Sequence, residues 1–319
     1  MTLMSIYIYQ VFNQIRSCSV DKNCPGYYIS LTDACYCFTL LFAVLFSKHF
    51  SLCSILNDTL DDFIYANEHI SKNYQFKCFS QIVMINALIF VDLLRKCIME
   101  YDLFDFNSLN VWIFVNFIRN LIYSVDAFIV SFFAILEMNM QCVNEKIKGT
   151  LVSRNPENYF NFYAQLHWKF TTTIKKTVDY LGPILFITLV FKQIQIIGMI
   201  YFTLLNYISD LGNNLFQAFD LLLPAVNFIW ICFSSSQLTE EAKQCMFIFQ
   251  DLKTVNVTNL ELKQKIEYFQ ELNHYRGFDV NANNFFVVRL GLIIKVVSVT
   301  LTYVVAVVQM IPTTSNLKH

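Results

Sequence analysis

Hydrophobic and polar residues fall in blocks along this chain rather than in alternation. Apolar runs at 29–47, 78–95, 111–138, 180–205, 215–234 and 285–311 each meet or approach the roughly 20 residues that cross a bilayer as a helix. A further stretch, 1–15, is short and carries Gln10, Asn13 and Gln14. It reads as the tail of a first helix whose beginning is absent, or as an interfacial helix. The pattern predicts an all-α, polytopic membrane protein with seven transmembrane helices in a single domain over 1–319.

The polar segments between these runs alternate in length. Those at 48–77, 141–179 and 237–284 are long; those at 17–26, 95–110, 208–214 and the tail from Pro312 are short. Most lysines and arginines lie in the long set, among them Lys72, Lys146, Lys148, Lys175, Lys176, Lys243 and Lys265. The positive-inside tendency therefore predicts cytoplasmic long loops, an inside N-terminus and an outside C-terminus. That orientation is the reverse of a G-protein-coupled receptor. Within 261–273, Leu262, Ile266, Phe269 and Leu272 recur at helical spacing, which predicts a helix extending a membrane span into the cytoplasm.

Composition agrees. Hydrophobic residues make up 55% of the chain and charged residues 15%, against about 25% charged in soluble domains. The net charge of −1 gives no support to a nucleic-acid partner. The ten cysteines show no metal spacing. Cys35, Cys37, Cys78 and Cys232 sit in apolar runs, where a thiol behaves as a small hydrophobe. Cys18 and Cys24 flank a polar loop and could be bridged if it is extracellular; spacing alone leaves this open. Met1-Thr2-Leu3-Met4 carries no basic leader, so no cleavable signal peptide is expected.

No nucleophile elbow, P-loop, zinc motif or dinucleotide fingerprint occurs. The histidines (His49, His69, His167, His274 and His319) fall in or beside predicted loops. The sequence predicts no enzyme, no cofactor and no metal. Asp92, Arg119, Asp126, Lys192, Asp220, Arg289 and Lys295 lie in or at the edges of apolar runs, where a charge needs a partner or a wet cavity. Asp33, Arg289 and Lys295 can reach an interface by extending along the helix. For Arg119, Lys192 and Asp220, pairing and a polar cavity remain equally open. In the last helix Thr302, Ala306, Gln309 and Thr313 share one face, and Val304, Val307, Val308 and Ile311 make a greasier one. Such a face suits a pore lined by several copies or tight packing through small residues.

The run Thr302-Tyr303-Val304-Val305-Ala306-Val307-Val308-Gln309-Met310 resembles the terminal signature of insect gustatory receptors, with Met310 where phenylalanine is usual. Phe269-Gln270-Glu271-Leu272 and Phe278 through Phe286 resemble the family's approach to its last helix. An asparagine stands there for the customary glycine, and Arg289 for an acidic residue. Leu166-His167-Trp168 through Asp179-Tyr180-Leu181-Gly182, and Glu240-Glu241-Ala242, are similar to further family segments. The resemblance spans about 111–310 and fades toward the N-terminus.

The resemblance implies a taste receptor subunit in the plasma membrane, part of a homo- or heterotetrameric, non-selective cation channel opened by a small-molecule tastant. It implies a cytoplasmic anchor from 141–179 and 237–284, and a pore lined by the last helix. Ala306, Gln309 and Met310 would form the gate region, with Thr302 and Tyr303 packing that helix against its bundle. A pocket in the outer half of the bundle would draw on Trp112, Asn116, Arg119, Gln195, Met199, Tyr201, Phe216, Phe219 and Asp220. An odorant receptor subunit of the same superfamily and a G-protein-coupled chemoreceptor are the alternatives. A secondary transporter would need interrupted helices at matching places in two repeats, and the chain has none.

Overall fold

The computed structural model describes residues 106–151, 156–209, 214–254, 260–276 and 278–310, with isolated helical positions at 35, 36, 39, 80, 83, 84, 87, 90 and 91. The 1–15 stretch, most of 29–47 and 78–95, and Cys18, Cys24, Asp33 and Asp92 lie outside the described residues. Three very long helices dominate: α1 (Phe106–Leu151), α2 (Pro156–Ser209) and α3 (Asn214–Thr254). A shorter α4 (Leu260–Arg276) and a two-stranded hairpin, β1 (Asn281–Ala282) and β2 (Phe286–Val287), lead into the terminal α5 (Leu290–Met310).

Buried positions explain why α1, α2 and α3 pack together. On α1, Ile122, Asp126, Ile129, Phe133, Leu136, Met140, Val143 and Ile147 are buried at steps of three and four, one continuous stripe along a helix. Leu181, Leu185, Leu189 and Lys192 form the matching stripe on α2, and Asn227, Ile231, Ser235, Leu238 and Ala242 that on α3. Among the described residues, three helices are long and apolar enough to cross a membrane, around Ile122–Gly149, Ala164–Ile200 and Leu222–Gln244.

At 1.5 Å per residue, the 46, 54 and 41 residues of α1, α2 and α3 extend for roughly 60–80 Å. That is at least twice a hydrocarbon core of about 30 Å. Each therefore runs well past the membrane without a break. Pro156 opens α2, where its missing N–H costs nothing. Pro183 and Pro224 lie inside α2 and α3, so the carbonyls of Asp179 and Asp220 each lack their usual helical donor.

The terminal helix starts later than its apolar pattern suggests. The run expected from 285 opens with Phe285 in a turn, and the helix begins at Leu290. Asn283 and Asn284 adopt φ of 50° and 61°, the left-handed region that asparagine enters more readily than most residues. This reverses the chain and pairs Asn281 with Val287 and Ala282 with Phe286. The Val288 N–H donates to the Val280 carbonyl at 2.8 Å and closes the hairpin base.

Candidate functional site

Three arrangements could carry function: a buried polar cluster between the long helices, the joint at the foot of α5, and the outer face of α5. In the first, Lys192 Nζ lies 2.6 Å from Asp126 Oδ2, with both side chains almost fully buried. Asn227 Nδ2 donates to the same oxygen at 3.2 Å, and the ammonium sits 5.0 Å from the centroid of the Tyr123 ring. One residue from each long helix thus meets here, toward one end of the three apolar spans. Of the two readings open for Lys192, the structure shows interhelical pairing. Deeper in the same bundle, the Tyr36 and Thr188 hydroxyls are hydrogen-bonded at 2.8 Å.

Gln195 and Met199 of the expected pocket are buried on α2, one and two turns beyond Lys192. The other pocket residues belong to helices, with Trp112, Asn116 and Arg119 on α1, Tyr201 on α2, and Phe216, Phe219 and Asp220 on α3. Their side chains lie outside the described residues.

At the foot of α5 the hairpin is fastened to two long helices. Its tip rests on α2 at Gly182, where an added β-carbon would lie 3.0 Å from the Asn283 amide nitrogen and 3.3 Å from the Asn281 carbonyl oxygen. The Phe285 ring stacks on Phe186 at 4.6 Å. Toward α3, the Ser235 hydroxyl donates to the Val288 carbonyl at 2.8 Å. Asp279 accepts from Lys243 of α3 at 2.9 Å and also pairs with Arg289, just before α5. Partial burial pushes the Asp279 carboxyl up, and its two cationic partners outweigh that effect, holding it below the ordinary carboxylate value of 3.8. Arg289, read from sequence as a change of sign against the resembled pattern, therefore has its own acidic partner.

The terminal helix divides into two faces. Ile293, Val296, Thr300 and Val304 are buried or half-buried at helical spacing, and Thr300 accepts a long hydrogen bond from Gln193 Nε2 at 3.4 Å. Packing against the bundle was expected of Thr302 and Tyr303. Within the single chain it falls to Thr300 and Val304, because a step of two residues turns Thr302 to the far side. Thr302 is exposed and donates to the Ser298 carbonyl of its own helix; Tyr303 is 48% exposed.

Gly291, Lys295, Ser298, Thr302 and Gln309 form the opposite face, all exposed, with Ala306 beside them. Met310 ends the helix, its side chain outside the described residues. Around this line the helix is greasy, with Ile294, Val297, Leu301 and Val305 half or more exposed. The Ser298 and Thr302 hydroxyls are satisfied within α5, so lipid would tolerate them. Among the described residues Lys295 and Gln309 show no such internal partner, and in a membrane they need water or a polar neighbour.

The model of the 7tm chemosensory receptor family matches residues 27–313. The chain belongs to this family. Its fold resembles that of the insect olfactory receptor OR5 from Machilis hrabei, with a TM-score of 0.73 over 97% of this chain and 88% of that one, at 12% identity. The same receptor in complex with eugenol gives a TM-score of 0.58 over 93% and 90% of the two chains, at 14% identity. No curated protein matches the sequence. As a chemosensory receptor the chain shares a seven-helix architecture, and the described apolar spans fit that design. Among the receptor's described residues, no three His, Cys, Asp or Glu side chains gather as a metal site.

Proposed function

We propose that this receptor is a gustatory subunit of a ligand-gated, non-selective cation channel, opened by a small-molecule tastant at the plasma membrane. The observation that carries the reading is the polar line of α5, turned away from its own bundle. A lysine and a glutamine facing outward from a membrane helix are costly in lipid. Copies of the chain around a symmetry axis would turn that line into the wall of a water-filled pore. In this reading the assembly is a homo- or heterotetramer, and Gln309, Ala306 and Met310 lie at the gate. The cytoplasmic extensions at 141–179 and 237–284 form the anchor.

Ligand recognition is assigned to the outer half of the bundle, around Trp112, Asn116, Arg119, Gln195, Met199, Tyr201, Phe216, Phe219 and Asp220. The eugenol complex of the Machilis receptor supports a small organic ligand. An odorant receptor subunit is the second reading, favoured by the likeness to that olfactory receptor; the 302–310 run favours the gustatory branch.

The orientation is tested by endoglycosidase treatment of the expressed protein. Acceptor sequons occur at Asn57-Asp58-Thr59 and Asn256-Val257-Thr258, both in segments assigned to the cytoplasm. No mobility shift is expected. A shift at either asparagine puts that segment outside and removes the channel topology. The channel itself is tested by whole-cell currents evoked with a panel of sugars and bitter compounds. Cation currents are the expected result, and second-messenger responses without current would refute it.

A further inference from the structure

Two runs singled out in the sequence meet in the structure. His167, expected beside a loop, lies inside α2 with only 1% of its surface exposed. Its ring stands edge-on to Phe269 of α4, with the ring centroids 5.7 Å apart. Phe269 is itself buried, and α4 also packs along α3.

The ring proton can be placed. The Thr171 hydroxyl has a single hydrogen and donates it to the His167 carbonyl at 2.8 Å. The same oxygen stands 3.4 Å from Nδ1, so there it can only accept, and Nδ1 carries the proton. Nε2 is left as a bare lone pair, buried and without a hydrogen-bond partner among the described residues. A second proton would add an N–H and a charge where nothing receives them. Burial holds the imidazole at about 4, below its ordinary 6.5. No neighbouring charge offsets this. Lys148 of α1, Lys169 of α2 and Glu271 of α4 are exposed, Glu267 of α4 is half-buried, and Lys243 of α3 is committed to Asp279. Among the described residues His167 forms no ion pair.

We infer that the His167–Phe269 contact is an acid-released catch: protonation of Nε2 drives α4 off α2 and loosens the anchor. The contact lies in segments assigned above to the cytoplasm, so the catch reads cytosolic pH, which weak acids lower by crossing the membrane uncharged. Once released, the histidine regains its ordinary value. The packed state is therefore fully favoured above 6.5 and loses ground as pH falls from there toward 4. Relative to pH 7.4, the released fraction rises about fourfold at pH 6.0 and about ninefold at pH 5.5.

Hydrogen–deuterium exchange on the full chain in detergent micelles tests this. Both faces then meet one buffer and no current is read, so the orientation and channel readings stand or fall separately. Protection factors, which remove the intrinsic pH dependence of exchange, are expected to fall about ninefold for the α4 amides between pH 7.4 and 5.5. His167→Gln and His167→Phe are each expected to flatten that dependence. A flat wild type, or variants as steep as the wild type, overturns the inference.

A second readout needs no variant. Nitrogen-15 NMR of the wild type, labelled at its five histidines, is expected to show one ring protonated at Nδ1 that stays neutral at pH 5.5. Five rings that all become charged by pH 5.5, or the absence of a ring protonated at Nδ1, overturns it.

Discussion

Gly182 and Asn283 touch backbone to backbone: a β-carbon on the glycine would sit 3.0 Å from the asparagine amide nitrogen. The neighbouring atoms are main chain and cannot swing aside. Gly182→Ala is expected to lift the hairpin off α2 at a cost of about 1–3 kcal/mol, and Gly182→Val to cost more. The check is the thermal midpoint of detergent-solubilised protein. A midpoint unchanged in the valine variant would remove the contact from the account.

Asp126 and Lys192 should fail singly and recover together. Removing one partner of a buried pair leaves the other charge uncompensated, at a cost of about 3–5 kcal/mol. Lys192→Met and Asp126→Leu alone are each expected to reduce surface expression sharply. The double variant is expected to restore most of it, because apolar residues of similar volume replace the pair. Surface biotinylation measures this, and a double variant no better than either single one would point to a role for the charges beyond folding.

The Asp279 joint makes hairpin attachment pH-dependent. Its carboxyl titrates below the unfolded value of 3.8, so the contribution is fully present above that value. It is lost as pH falls through the lower folded pKa. The wild type should therefore lose stability on acidification below about pH 4 more steeply than Asp279→Asn, which should begin less stable at neutral pH. Thermal midpoints across an acid series compare the slopes; parallel curves would show that Asp279 does not contribute.

Gln309→Ala is expected to change gating or ion selectivity while leaving surface expression intact, since the residue is exposed and away from the bundle contact. Paired recordings and surface labelling decide it. Wild-type currents at equal expression would dismiss the gate assignment.

The seven-helix class was legible because membrane spans need long apolar runs, and few soluble folds imitate them. The polar residues inside those runs were legible as anomalies. Their partners were not: Asp126 and Lys192 lie far apart in sequence, and only the antiparallel packing of α1 against α2 brings them level. The hairpin was hidden because Phe285, Phe286, Val287 and Val288 continue the apolar run into α5, while Asn283-Asn284 supplies the one turn signal. Lys295 read from sequence as a residue that could reach an interface; the bundle-facing position of Thr300 fixes which way it points. Thr300 was missed because nothing distinguishes it from other small residues of α5 until its neighbour Gln193 is known.

The position of Pro183 beside Gly182 has a mechanical meaning. Helix α2 continues for 26 residues from this proline to Ser209, an arm of about 39 Å. A tilt of about 5° about the proline would carry the far end by about 3 Å. The hairpin, seated next to the pivot, would scarcely move. Ten residues out, Gln193 touches Thr300, where the same tilt yields about 1 Å. The foot of the terminal helix is thus held at a fulcrum while its middle is gripped by a moving arm, so swinging α2 would bend or swivel α5 rather than carry it along.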